Sequence, residues 1–167
     1  VLVMVGSFTE QKDQTTLVKM FCELPKKYIL FLVGDGPKRQ LLEKLVKNLG
    51  LHNRIFFFGI QKEVIPILKN CKYGILSSHW EGFGIVALEY MASGLITLGS
   101  DVSGLNEIIP CKENLFKVGN HSQLANRILE IETNSDLEDR ILLKQNNLLQ
   151  KHDITTSVKE HMQLYSN

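Results

Sequence analysis

Most of the features that would assign this sequence quickly are missing from it. Its three cysteines, Cys22, Cys71 and Cys111, are odd in number and far apart. None has C-x-x-C spacing or a histidine at zinc-finger spacing, so neither a disulfide framework nor a metal site is expected. They are expected to be small buried hydrophobes in a reducing compartment. No apolar run approaches the ~18 residues of a membrane span, and the N-terminus carries no signal-peptide pattern, which makes cytoplasmic the expected location. An excess of charge is missing as well: 19 basic and 18 acidic side chains leave a net +1, and the basic residues fall in scattered pairs such as Lys26-Lys27 and Lys38-Arg39. That balance does not recruit nucleic acid or an anionic membrane. There is no G-x-S-x-G motif and no Cys/His constellation for hydrolysis. The dinucleotide fingerprint fails, because Arg39 stands near Gly34 and Gly36 where the third glycine is needed, so an NAD site is not expected. An initiator methionine is absent too, and the chain is expected to be a piece of something longer.

What is present is an ordinary globular composition, 44% apolar and 22% charged over 167 residues, enough for one domain with a real core. Short apolar strands alternate with helical stretches. Strands are expected at Val1–Val5, Tyr28–Val33, Arg54–Phe58, Tyr73–Leu76, Leu95–Leu98 and Leu115–Val118. Helices are expected from about Asp13 to Cys22, from Pro37 to Leu49, from Val64 to Lys69, from Ile85 to Ser93 and as a turn at Leu105–Ile109. A helical tail follows from about residue 120, over Ser122–Glu132, Leu137–Lys151 and Thr155–Tyr165. This alternation predicts an α/β fold, a doubly wound parallel six-stranded sheet of Rossmann-like type. Such sheets bind ligands at the carboxyl ends of their strands. Gly6, Gly34, Gly36, Gly59, Gly82 and Gly84 all fall there.

The densest window is SSHWEGFGIVALE, Ser77 to Glu89. A strand enters a polar turn with two glycines, and an apolar helix follows. Glu81 lies in the turn and Glu89 lies beyond seven intervening residues, inside the helix. Glycines there expose backbone N–H groups at a helix N-terminus, which attracts phosphate, and carboxylates accept hydrogen bonds from hydroxyls. On residue type alone, Glu89 is equally an ordinary helix-surface glutamate, and Glu81 an acidic residue favoured by the helix dipole. Lys12, in a polar loop, is equally a solvated lysine. His79 and Trp80 are read as local structure or cleft wall.

The whole chain resembles the C-terminal, donor-binding domain of retaining GT-B glycosyltransferases (glycosyl transferases group 1, family 4). The matching segments, in order, are VGSFTEQKDQ, VGDGP, IFFFG, the Glu81–Glu89 window and LEYMASGLITLGSDVSGLNEII. The resemblance implies that Glu81 faces the transferred sugar and Lys12 neutralises the leaving diphosphate. It implies that Glu89 holds the donor ribose and that Gly82, Phe83 and Gly84 offer backbone N–H groups to the diphosphate. Gly34 and Gly36 would form the cleft loop and Gly59 would lie by the nucleobase. The Glu107 of the later G-x-x-E segment matches a glutamate that is more often structural. One departure stands out, since Ser7 occupies a position where many relatives carry arginine.

The resemblance therefore implies a glycosyltransferase domain spanning 1–167 that binds a nucleoside-diphosphate sugar, UDP being the first expectation, for retaining transfer of a hexose to a saccharide or lipid-linked acceptor. Neither a cofactor nor a metal is expected. Acceptor binding is expected from an absent N-terminal domain, which is also where any contact with the cytoplasmic face of a membrane would arise. This chain alone is expected to be inactive. Surface polysaccharide or glycolipid synthesis is the expected setting. A nucleotide-sugar epimerase or hydrolase and a non-catalytic nucleotide-sugar-binding module stay open as alternatives.

Overall fold

The computed structural model describes residues 1–151. Its strands are β1 (Leu2–Val5), β2 (Leu30–Val33), β3 (Ile55–Gly59), β4 (Tyr73–Leu76), β5 (Ile96–Ser100) and β6 (Leu115–Phe116). Its helices are α1 (Gln14–Met20), α2 (Arg39–Asn48), α3 (Ile65–Leu68), α4 (Ile85–Ala92), α5 (Leu105–Ile108), α6 (His121–Thr133) and α7 (Ser135–Lys151). The expected helix at Thr155–Tyr165 lies outside the described residues.

All strands pair in parallel in the order β3-β2-β1-β4-β5-β6, the expected six-stranded sheet. Side chains alternate across it. Leu2, Met4, Leu30, Leu32 and Ile75 bury one face, packing with α1, α2 and α6. Val3, Val33 and Leu76 bury the other with α4, α5 and the end of α7. Burial on both faces is why the strands read as continuous apolar runs.

Several boundaries differ from the sequence reading, each for a local reason. Helix α2 starts two residues after Pro37, because Lys38 forms the N-cap turn. Strand β5 runs past Leu98 to Ser100, since Gly99 and Ser100 pair with Leu115 and Phe116. Strand β6 ends at Phe116, before Val118. The cysteines divide as well: Cys111 is buried, Cys71 is half-buried and Cys22 is exposed. Cys22 falls just after the C-cap of α1, in a turn that faces outward. Burial pushes the Cys71 thiol up to about 11.

Helix α7 is docked by a polar contact deep in the core. The amide of Gln145, 1% exposed, accepts from the Thr97 N–H at 3.0 Å and donates to the Leu95 carbonyl at 2.8 Å. Asn114 donates to the Thr97 carbonyl at 2.8 Å. Because β6 pairs only with the last two residues of β5, these side chains complete the backbone bonding of Thr97 that the ladder leaves open.

The strand order reverses between β1 and β4, and a crevice forms at such a switch point. The β1–β4 ladder lasts only for Leu2↔Tyr73 and Val3↔Gly74. Beyond it, the Val5 N–H donates to the hydroxyl of Tyr90, from α4, at 2.7 Å. The ring reaches that far because Gly74 has no side chain: a Cβ there would lie 2.3 Å from the Tyr90 ring.

Candidate functional site

The loops after β1 and β4 meet over this switch point. Behind them, the loop after β2 presses on the first. A Cβ on Gly34 would fall 2.1 Å from the Gly6 carbonyl oxygen, and one on Gly36 would fall 2.6 Å from that of Phe8. Bare backbone there permits the Phe8 N–H to donate to the Asp35 carbonyl at 2.9 Å and the Lys38 N–H to that of Phe8 at 3.0 Å. The Gly36 N–H, and then Arg39, hold the Asp35 carboxyl below its ordinary value. Gly59 ends β3 with φ 69°, its α-carbon facing the Arg39 guanidinium.

Lys12 and Glu81, separated by 69 residues, meet as an ion pair, Lys12 Nζ to Glu81 Oε2 at 2.6 Å. Their side chains are 15% and 13% exposed, so Lys12 is not the solvated lysine that residue type alone allowed. The Ser78 hydroxyl, fully buried, donates to the same Glu81 oxygen at 3.1 Å. Five more contacts stitch the two loops. The Ser77 hydroxyl lies 2.9 Å from the Lys12 carbonyl and 2.8 Å from that of Asp13. The His79 N–H donates to the Gln11 carbonyl at 2.8 Å, and Gln11 Nε2 donates to the Trp80 carbonyl at 2.9 Å. The His79 ring lies 3.5 Å from the Asp13 carboxylate. His79 thus belongs to the stitching, as its structural reading expected.

Asp13 is the N-cap of α1; its carboxylate accepts from the Thr16 N–H at 3.3 Å and the Thr16 hydroxyl at 2.6 Å. Its φ is 45°, the one positive value at a non-glycine among the described residues. Ser7 is exposed, and its carbonyl accepts from buried Gln14. The neighbouring Lys38 pairs with Glu10.

The Glu81–Gly84 turn rests on Gly104. A Cβ on Gly104 would lie 2.6 Å from the Gly82 carbonyl oxygen and 2.7 Å from that of Glu81. Gly82 and Phe83 are exposed, and Gly84 is the N-cap of α4, which has no side-chain cap hydrogen bond. A depression of about 160 Å³ opens here, lined by Glu81, Phe83, Gly84, Ile85 and Val86. Glu89, the fifth residue of α4, is 5% exposed and so is no helix-surface glutamate. Glu107 is exposed and accepts from the Ser103 hydroxyl at 3.1 Å.

The structure thus joins Lys12 to Glu81 and packs Gly34 and Gly36 under the same loop. Gly59 sits at the end of β3, where its carbonyl accepts from the Gly34 N–H at 2.8 Å. Sequence reasoning missed Ser77, Ser78, Gln11, Asp13 and Tyr90. Only the place of the two serines at the end of an apolar strand could have flagged them. Among the described residues no group of three or more His, Cys, Asp or Glu is placed to hold a metal ion, and no helix is long and apolar enough to cross a membrane.

Comparison with known proteins gives a consistent picture. The family described as glycosyl transferases group 1 matches residues 1–147. The N-acetyl-alpha-D-glucosaminyl L-malate synthase of Bacillus anthracis is 31% identical over 141 residues, covering 82% of this chain and 37% of that protein. The lipopolysaccharide core biosynthesis glycosyltransferase LpsE of Rhizobium meliloti is 32% identical over 143 residues, 84% of this chain and 42% of that protein. The chain therefore spans less than half the length of these curated relatives. Among solved structures, Anabaena HepE in complex with UDP and glucose superposes with a TM-score of 0.82 at 24% identity, over 99% of this chain and 48% of that one. The shared architecture is the Rossmann-like sheet of GT-B glycosyltransferases.

Proposed function

The chain belongs to the glycosyl transferases group 1 family, and from that premise we propose that it is the donor-binding domain of a retaining glycosyltransferase. The donor is a nucleoside-diphosphate sugar, UDP being the first base to test. In this reading the diphosphate sits at the uncapped N-terminus of α4, against the backbone of Gly82, Phe83 and Gly84, where the helix dipole favours anions. The nucleobase lies towards Gly59, past the Gly34–Gly36 loop, and Glu89 takes the ribose hydroxyls. The observation that carries the proposal is the part-buried Lys12–Glu81 pair beside that helix start.

Each member of the pair has a task that the other makes possible. The diphosphate draws the Lys12 ammonium towards itself, and the cation stabilises the negative charge that grows on the leaving phosphate. Glu81, relieved of its partner, turns its carboxylate to the transferred hexose and stabilises positive charge at the anomeric carbon. HepE, with UDP and glucose bound, supports a UDP-sugar donor, and LpsE, named for lipopolysaccharide core synthesis, supports a saccharide or lipid-linked acceptor in surface polysaccharide or glycolipid assembly. The acceptor is held by the part of the enzyme this chain does not span, so residues 1–167 alone bind donor without transferring sugar.

Calorimetric titration of the chain with UDP, GDP and ADP is the direct test. Binding of one of the three is expected; binding of none would overturn the proposal. With the full-length enzyme and a labelled donor, a new glycoside of retained configuration is expected. Free or isomerised sugar would instead indicate a hydrolase or an epimerase.

A further inference from the structure

Two adjacent serines at the end of β4 each reach one side of the Lys12–Glu81 pair. We infer that Ser77 and Ser78 are positioning residues that set the geometry of this pair, an inference that rests on the donor-binding role proposed for it. Both are fully buried. Ser78 acts on the carboxylate, donating to Glu81 Oε2, the same oxygen that Lys12 holds. It thereby fixes which carboxylate oxygen meets the ammonium and leaves Oε1 for another partner. Ser77 acts on the lysine through its backbone. Its single proton is shared between the carbonyls of Lys12 and Asp13, the peptide units on either side of the Asp13 α-carbon.

The backbone at Asp13 carries an independent sign of the same arrangement. A left-handed conformation at a non-glycine is unfavourable and persists where the surroundings impose it. Here the surroundings are Ser77 on the carbonyl side and the N-cap bonds of the Asp13 side chain to Thr16. The left-handed turn ends the loop just after Lys12, so the chain enters α1 while the Lys12 side chain turns back across the crevice to Glu81. An unclamped loop would relax that turn, and the ammonium would follow solvent rather than the carboxylate. Because the serines are neighbours on one strand end, facing opposite partners, they keep the cation and the carboxylate in register although 69 residues separate the two in sequence.

A double-mutant cycle of Lys12→Met and Glu81→Gln on the unfolding equilibrium of the chain tests the clamp without any ligand. The coupling factor between Lys12 and Glu81 is expected to fall at least threefold in a Ser77→Ala background and likewise in Ser78→Ala. An unchanged factor in both would overturn the inference. Should Ser77→Ala fail to fold, Ser78→Ala carries the same test. In parallel, whichever of UDP, GDP and ADP binds the native chain is compared with its nucleoside. Ser77→Ala is expected to weaken the diphosphate about tenfold and the nucleoside no more than twofold. Equal losses on both would mean a merely structural serine and would also overturn it. If the native chain binds none of the three, the donor-binding role fails, and the coupling cycle alone decides on the clamp.

Discussion

The two ends of the sheet solve opposite problems with polar side chains. At the amino end, charges are surrounded by partners. Arg54 donates to the carbonyls of Phe21, Leu24, Pro25 and Tyr28 at 2.8 to 3.2 Å, with its guanidinium 5.1 Å from the Phe21 ring. Lys72 pairs with Glu138 at 2.8 Å and with Glu132 at 3.5 Å, and the Tyr73 hydroxyl donates to Glu132 at 2.7 Å. These contacts tie the loop before β2, the start of β4 and helices α6 and α7 into one frame. At the carboxyl end, the Lys12 ammonium and the Glu81 carboxylate meet at 2.6 Å beside an open depression, in loops held by close backbone approach and one left-handed turn. The amino end is built to stay closed. In the proposed reading, the carboxyl end exchanges this internal partner for a ligand.

Substitutions that separate stability from binding test this contrast most directly. Arg54→Ala removes a charged donor from four carbonyls, which should cost about 3 kcal/mol of unfolding free energy. Denaturant titration should find that loss, with nucleotide affinity of the folded fraction unchanged; a loss of affinity as large as the loss of stability would erase the distinction between the two ends. Lys12→Met should do the reverse, weakening the bound nucleoside diphosphate roughly thirtyfold, or about 2 kcal/mol, as measured by calorimetry. The nucleoside alone should bind it as it binds the native chain. Tyr90→Phe, beneath the two loops, should cost about 1 kcal/mol by leaving the Val5 N–H without its acceptor. A melting curve unchanged from the native one would mean that water replaces the hydroxyl.

The smallest effect expected concerns pH. The Tyr73 hydroxyl, then the Lys72 and Lys27 charges, hold the Glu132 carboxyl below its ordinary value of 4.5 against an opposing push from burial. A carboxylate whose folded value is depressed adds stability above its unfolded value and loses it as the pH falls through the folded one. Stability should therefore decline as the pH falls below about 4.5, and Glu132→Gln should flatten that slope. A slope equally steep in the variant would assign it to other carboxylates.

The framework of the fold was legible because it depends on signals that are local. Continuous apolar runs such as Leu30–Val33 are what burial on both faces of a parallel sheet requires, and Gly94 marks the end of α4 because its positive φ closes a Schellman turn onto Tyr90 and Met91. The candidate site was half legible. Glycine spacing and two carboxylates identified the turn after β4, and the family resemblance brought in Lys12. What no local signal carries is who meets whom across the switch point. The contact of Lys12 with Glu81, the serines behind it and the left-handed Asp13 all depend on where β1 and β4 part, and that register is a property of the assembled sheet. Cys22 shows the same limit from the other side, since its hydrophobic character says nothing of the outward turn that exposes it.

The missing side chain at Gly74 has a mechanical meaning. The Tyr90 ring lies directly on that bare backbone and its hydroxyl grips the end of β1, so α4 and the strand carrying the Lys12 loop are joined across the sheet by one aromatic strut. Any residue larger than glycine at position 74 would push out the strut and take the acceptor away from the Val5 N–H.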